Sequence, residues 1–302
     1  MRKIAILFLF VLIISVVYIR YQPVVTYISG KIGVKLSQIG QVSGSSIYRL
    51  DVAFHRQEHA LSCEIASLKM ALSGVGLNIS ESDLISSLNF DPTPRSGGQW
   101  GDPYTGFVGN IDGKMLGDGY GVYWDPIARV GLKYRRTEVI YNGSLPQLLY
   151  HINQGRPVIV WGHFGRGNTM TWTTPAGKQI TGINGEHVRV LIGYSWNVVS
   201  PEYLILLDPI YGELHWSVEE FVKNWEVMEK GAVVVYQQPR WVKTFGSNIV
   251  WEINEEGTQR HGLAMTWEQF ISGGGLPEGI NEVSHDWLIR IPEGEKILSL
   301  TN

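Results

Sequence analysis

Cysteine is almost missing from this chain. Cys63 is the single one in 302 residues, so no internal disulfide can brace the fold, and no Cys/His spacing resembles a structural zinc site. Charge is scarce as well. Lys, Arg, Asp and Glu make up 18% against roughly 25% in ordinary soluble domains, and 25 cations against 28 anions leave a net charge of −3. That balance argues against nucleic acid as a partner. There is no P-loop, no repeat and no low-complexity tract. What is abundant is core material: 44% hydrophobic residues, with 11 Trp, exclude general disorder and suit one enlarged domain or a domain with an appendage.

A long uncharged and apolar run opens the chain. Met1, Arg2 and Lys3 precede Ile4 to Ile19, after which Arg20 closes the stretch. A helix of that length covers about 24 Å, slightly less than a hydrocarbon core of about 30 Å, with Tyr18, Arg20 and Tyr21 placed to sit at the interface. Small residues suited to a signal-peptidase site do not follow, so a retained anchor over 1–22 is expected, with a cleaved signal and a secreted product as the alternative. The leading cations orient such an anchor with its amino terminus in the cytoplasm and the rest of the chain outside. Residues 23–45, with scattered Gly and Ser, read as a stalk.

Alternating polarity from Tyr48 to Phe54 predicts a strand. Helical spacing follows from about Ser62 to Ser73, stopped by Gly74 and Gly76, and Ser80 to Asp83 resemble a capping box for a helix ending at Leu88. From Asp91 to Gly131, Gly and Pro are interspersed with aromatics without a sustained period. This reads as a long loop region that either lines a binding site or packs on its own aromatics. A helix over 145–154 and strands over 157–161, 187–194 and 203–207 come next, the last two as an antiparallel pair. A helix over 218–225 and a strand over 232–236 complete a domain at 46–238. Residues 239–302 form an extension of mixed character with no nameable site.

The chemistry concentrates around Cys63. A thiol attacks as thiolate, and a helix amino terminus with free N–H groups lowers its pKa when a base assists. An inert buried cysteine is the plain alternative. His187 opens one strand and Asp208 closes the next, and a hairpin centred near residue 197 or 198 places them opposite each other. The carboxylate then orients the imidazole, which accepts the thiol proton. Gln57, six residues before Cys63, offers a side-chain amide to an oxyanion together with the Cys63 N–H. His163 is the second choice for the base. Asp102, Asp112 and Asp118 fit no calcium-loop spacing and read as turn carboxylates, so neither a metal nor a cofactor is expected.

The stretches Arg56 to Leu68, Gly185-Glu186-His187-Val188 and Asp208-Pro209-Ile210-Tyr211-Gly212 resemble the stand-alone relatives of the bacteriocin-processing cysteine peptidases, family thirty-nine of the papain-like clan. The resemblance covers about residues 45 to 238. It implies an α+β papain-like fold, in which a helix bearing the cysteine packs on an antiparallel sheet bearing His and Asp. It also implies Cys63 as nucleophile, His187 as base and then acid, Asp208 as orienting residue and Gln57 as oxyanion donor. The chain lacks the ATP-binding and membrane domains of the exporters that carry such peptidases, so a double-glycine leader is not the expected substrate. The reading is a membrane-anchored extracytoplasmic cysteine peptidase acting on a peptide or protein. A peptidoglycan amidase or endopeptidase, and an inactive peptide-binding module of the same fold, are the alternatives.

Overall fold

The computed structural model describes residues 47–195 and 198–300. The expected membrane segment at 1–22 and the stalk at 23–45 lie outside the described residues. Among those described, no helix is long and apolar enough to cross a membrane.

In chain order the elements are β1 (Ile47–Arg49), α1 (Cys63–Ser73), α2 (Glu81–Ser86), β2 (Phe90–Asp91), β3 (Phe107–Val108), α3 (Trp124–Leu132), β4 (Thr137–Ile140), α4 (Leu145–Asn153) and β5 (Val158–His163). Then come β6 (Thr169–Thr173), β7 (Gln179–Ile183), β8 (Glu186–Ser195), β9 (Tyr203–Asp208), β10 (Gly212–Ser217), α5 (Val218–Glu226) and β11 (Ala232–Val235). The C-terminal part adds β12 (Trp241–Thr244), β13 (Trp251–Ile253), β14 (Arg260–Gly262), α6 (Trp267–Ser272), β15 (Ile280–Val283) and α7 (His285–Ile289).

A seven-stranded antiparallel sheet organises the first part, in the order β10-β9-β8-β5-β11-β4, with β1 also paired to β8. Its central strand β8 is buried over its whole length, because helices cover both faces and leave no polar side. One core layer packs α1 and α3 residues such as Leu68 and Ile127 against Val188, Val190 and Ile192. The other packs Leu148, Leu149, Phe221 and Trp225 of α4 and α5 against Leu191, Leu204 and Leu206. Each fully buried aliphatic side chain contributes about 1.5–3 kcal/mol of transfer free energy. The structure is therefore α+β with a helix on an antiparallel sheet, as expected. The C-terminal residues add a four-stranded sheet, β14-β13-β12-β15. Arg136 joins it to the first sheet by bonding Glu138 while pairing with Glu252, and the described residues form one compact unit.

Local rules explain most element ends. Ser144 and Ser217 cap α4 and α5 by accepting the N–H groups of Gln147 and Glu220, the latter in a full capping box. Ser80 accepts the Asp83 N–H as foreseen, although α2 stops at Ser86 rather than Leu88.

Two expectations need correction. The strand over 48–54 is real only as β1. Beyond the Leu50 N–H bond to the Ile192 carbonyl, the chain leaves the sheet, and Val52 packs on the end of α1, where Ala53 N–H bonds the Ser73 hydroxyl. The region 91–131 is not all loop, since α3 begins at Trp124 with Pro126 accommodated in its first turn, where a missing N–H costs nothing. Its aromatics do not line an open crevice. Trp100, Tyr120 and Trp124 are buried, and Tyr120 contacts both Trp100 and Trp172 edge-on. The β6–β7 hairpin, invisible to the sequence reading, supplies Trp172, whose indole N–H donates to the Gly101 carbonyl at 2.7 Å.

Candidate active site

Cys63 is the first residue of α1, and its N-cap Ser62 does not cap the helix. The Ser62 hydroxyl instead serves His59, accepting its N–H and donating to its carbonyl. First-turn N–H groups of α1 thus lack a side-chain cap, leaving the positive end of the helix beside the thiol. The loop before Cys63 is tied to the turn after β9. Gln57 N–H donates to the Pro209 carbonyl at 3.0 Å, and Arg56 donates to the Ile210 carbonyl at 3.1 Å. Two of the three sequence motifs are thereby fastened together.

His187 and Asp208 also meet. His187 Nε2 lies 2.9 Å from Asp208 Oδ2, and both side chains are buried. The β8–β9 register differs from the expected one. Val190 pairs with Leu207 and Leu191 with Leu206, so continuing the ladder puts Arg189, not His187, opposite Asp208. His187 reaches Asp208 diagonally. A two-residue displacement keeps every side chain on its face, which is why the sequence-derived partnership survives the wrong register.

Arg189 is the site residue that sequence reasoning missed. Its Nε donates to the same Asp208 Oδ2 at 2.8 Å, while its guanidinium stacks over Trp216 at 4.5 Å. The other carboxylate oxygen accepts Ile210 N–H at 2.8 Å and Tyr211 N–H at 3.1 Å. Burial by itself would raise the Asp208 pKa. The bonds and charges of His187 and Arg189, with the Ile210 N–H, outweigh it and bring the carboxyl to about 2. An ionised Asp208 only accepts, so His187 carries its proton on Nε2 and keeps Nδ1 as a base. Burial and the nearby Arg189 hold the His187 pKa below its usual value, against the pull of Asp208.

The thiol departs from the sequence reading. Cys63 Sγ is hydrogen-bonded to Glu64 Oε2 at 3.3 Å, and no hydrogen bond joins it to His187. It lies against β8 between Glu186 and Val188, the neighbours of His187, with the Val188 backbone also bonding the sulfur. Strand alternation sends Glu186 and Val188 towards α1, and His187 with Arg189 towards Asp208. The thiol pKa is raised, not lowered as the helix terminus alone implied. Burial is the largest cause, followed by the carboxyls of Glu64 and Glu186, which together overcome the terminus. Glu64 accepts the Val122 N–H at 2.7 Å, whereas neither oxygen of Glu186 has a hydrogen-bond partner. Burial drives both carboxyls above the usual carboxylate range, and Glu64 pushes Glu186 further.

Gln57 sits in the expected loop, but its amide Nε2 donates to the His59 and Ala60 carbonyls at 2.8 and 3.0 Å, and its buried Oε1 has no partner. Both amide hydrogens are thus directed into the loop rather than towards an oxyanion. His163 ends β5, where its backbone is clasped by the Asn224 amide. Asp102, Asp112 and Asp118 hold Lys178, His59 and the Lys114 N–H respectively, as turn and surface partners.

Comparisons with known proteins bear on the family and the fold. A putative C39-like peptidase from Bacillus anthracis, of known crystal structure, is similar at a TM-score of 0.56 and 26% identity, over 64% of this chain and 99% of that one. The uncharacterized protein YvpB of Bacillus subtilis (strain 168) is 32% identical over 198 residues, which cover 62% of this chain and 75% of that protein. Residues 49–233, holding Cys63, His187 and Asp208, match the Peptidase_C39 like family, and the chain belongs to it.

Proposed function

We propose that this chain is a cysteine peptidase, anchored in the membrane by residues 1–22, whose domain at 46–238 hydrolyses peptide bonds outside the cytoplasm. The carrying observation is the buried His187–Asp208 pair at 2.9 Å, with Cys63 at the α1 terminus against the same strand. In the reaction, Sγ leaves Glu64 and a shift of the α1 terminus against the start of β8 brings it to His187. Nδ1 of His187 takes the thiol proton and the thiolate adds to the carbonyl carbon of the substrate. The Cys63 N–H and, after leaving a loop carbonyl, the Gln57 amide hold the oxyanion. His187 then protonates the departing amine, and water hydrolyses the thioester by the same base, returning the proton to sulfur.

The Cys63–Glu64 bond favours a second reading, a peptide-binding module of the same fold that does not turn over. A peptide library presented to the full-length chain in detergent separates the two. The peptidase reading expects cleavage that Cys63→Ala abolishes while binding persists, and it fails if wild type and Cys63→Ala bind alike and neither cleaves. The anchor is tested by alkaline carbonate extraction of membranes and protease treatment of intact cells. A chain that washes off, or that resists protease until lysis, contradicts the anchored, outward-facing placement.

A further inference from the structure

Cys63, Glu64 and Glu186 bring one sulfur and two carboxyl groups together in the interior. Ligand atoms from the three lie within 4.8 Å of one another, and all three residues are buried. Glu186 is 1% exposed, and both of its oxygens lack a hydrogen-bond partner. A buried carboxyl left unpaired is destabilising, so this one calls for a partner. The donors come from two rigid elements, the first turn of α1 and the start of β8.

We propose that Cys63, Glu64 and Glu186 form a closed site for a divalent cation of the zinc type, and that filling it takes the Cys63 sulfur out of reaction. A thiolate with two carboxylates suits a borderline-soft ion that accepts four donors, three from protein and a fourth from water. Magnesium and calcium, which ask for six or more oxygens, do not match this set. Gly121, at φ +150°, stands over the carboxyls, and a Cβ there would lie 2.6 Å from Glu64 Oε1 and 3.0 Å from Glu186 Oε2. Binding releases the thiol proton to the buffer, with no change of oxidation state. The site stands independently of the peptidase reading, and only its consequence for turnover rests on that reading.

The test is titration of the chelator-treated, full-length chain in detergent with Co²⁺. Cys63 is the single cysteine, so any thiolate-to-cobalt charge-transfer band in the near ultraviolet reports this sulfur. The expected result is a band saturating at one equivalent, abolished by Zn²⁺, with Zn²⁺ also protecting Cys63 from iodoacetamide. Glu186→Gln weakens the titration by about tenfold or more, since loss even of an outer partner costs that much. A second readout holds if that variant does not fold: Zn²⁺ raises the unfolding midpoint of wild type and leaves Cys63→Ala unmoved. Absence of the band from folded wild type overturns the site, as does a band of unchanged affinity in folded Glu186→Gln or an equal zinc shift in Cys63→Ala. Cleavage of peptides without a band defeats this proposal and leaves the peptidase standing, and a band without cleavage does the reverse.

Discussion

Replacing Asp208 by Asn removes the charge on which His187 and Arg189 converge. Oδ2 accepts from both, and Oδ1 accepts two backbone N–H groups, so an amide in either orientation faces at least one pair of donors with an N–H. A carboxyl carried from 3.8 to about 2 represents, at about 1.4 kcal/mol per tenfold, about 2 kcal/mol of stability at neutral pH. The side chain is fully buried, so solvent screening reduces this little. The pKa is depressed in the folded protein. The contribution is therefore complete above the unfolded value near 4 and is lost as pH falls through about 2. Urea unfolding of wild type and Asp208→Asn across pH 7 to 2 reads the difference directly. A gap of at least about 2 kcal/mol is expected at pH 7, with about 2 kcal/mol of it gone near pH 2. A gap unchanged across that range refutes the electrostatic assignment and leaves only a packing defect.

Arg189→Met removes a charge that disfavours the imidazolium, so the His187 titration followed by NMR moves to higher pH, and a downward move would contradict the assignment. Gly121→Ala forces a Cβ against Glu64 from a left-handed backbone, with an expected loss of about 1–3 kcal/mol in thermal or urea unfolding. An unaltered midpoint would show that the carboxyls have more room than the structure gives them. In chelator, Cys63 is alkylated more slowly than a free thiol at pH 7, its rate climbs into the alkaline range, and Glu64→Gln speeds it. A plateau at or below the ordinary thiol pKa would mean that the carboxyls do not restrain the sulfur.

Much of the site was legible because its parts are locally encoded. Gly74 and the apolar spacing of Ile65, Leu68 and Leu72 mark α1, and the apolar run of β9 with the largely apolar β8, broken by Arg189, marks strands covered on both faces. His187 and Asp208 at the ends of those strands followed as neighbours. Their register did not, because it depends on the loop after Ser195 and on the irregularity between Leu191 and Gly193. The hairpin of β6 and β7 was missed for a related reason, since its polar, Gly-rich residues join the fold through Trp172 and the buried aromatics rather than by a strong period.

Legible from the chain alone are the helix that begins at the single cysteine, the two strands that carry the imidazole and the carboxylate, and the family to which the chain belongs. Those are consequences of spacing along the chain, where side-chain periods of 3.6 and 2 decide which residues share a face. The upward shift of the thiol pKa, in contrast, is a product of packing. Adjacency of Cys63 and Glu64 is visible in the sequence, but burial, the arrival of Glu186 from β8 and the sharing of Asp208 by His187 and Arg189 come from packing. A helix terminus acts on a thiol over one turn, whereas exclusion of water acts through every element that closes around it.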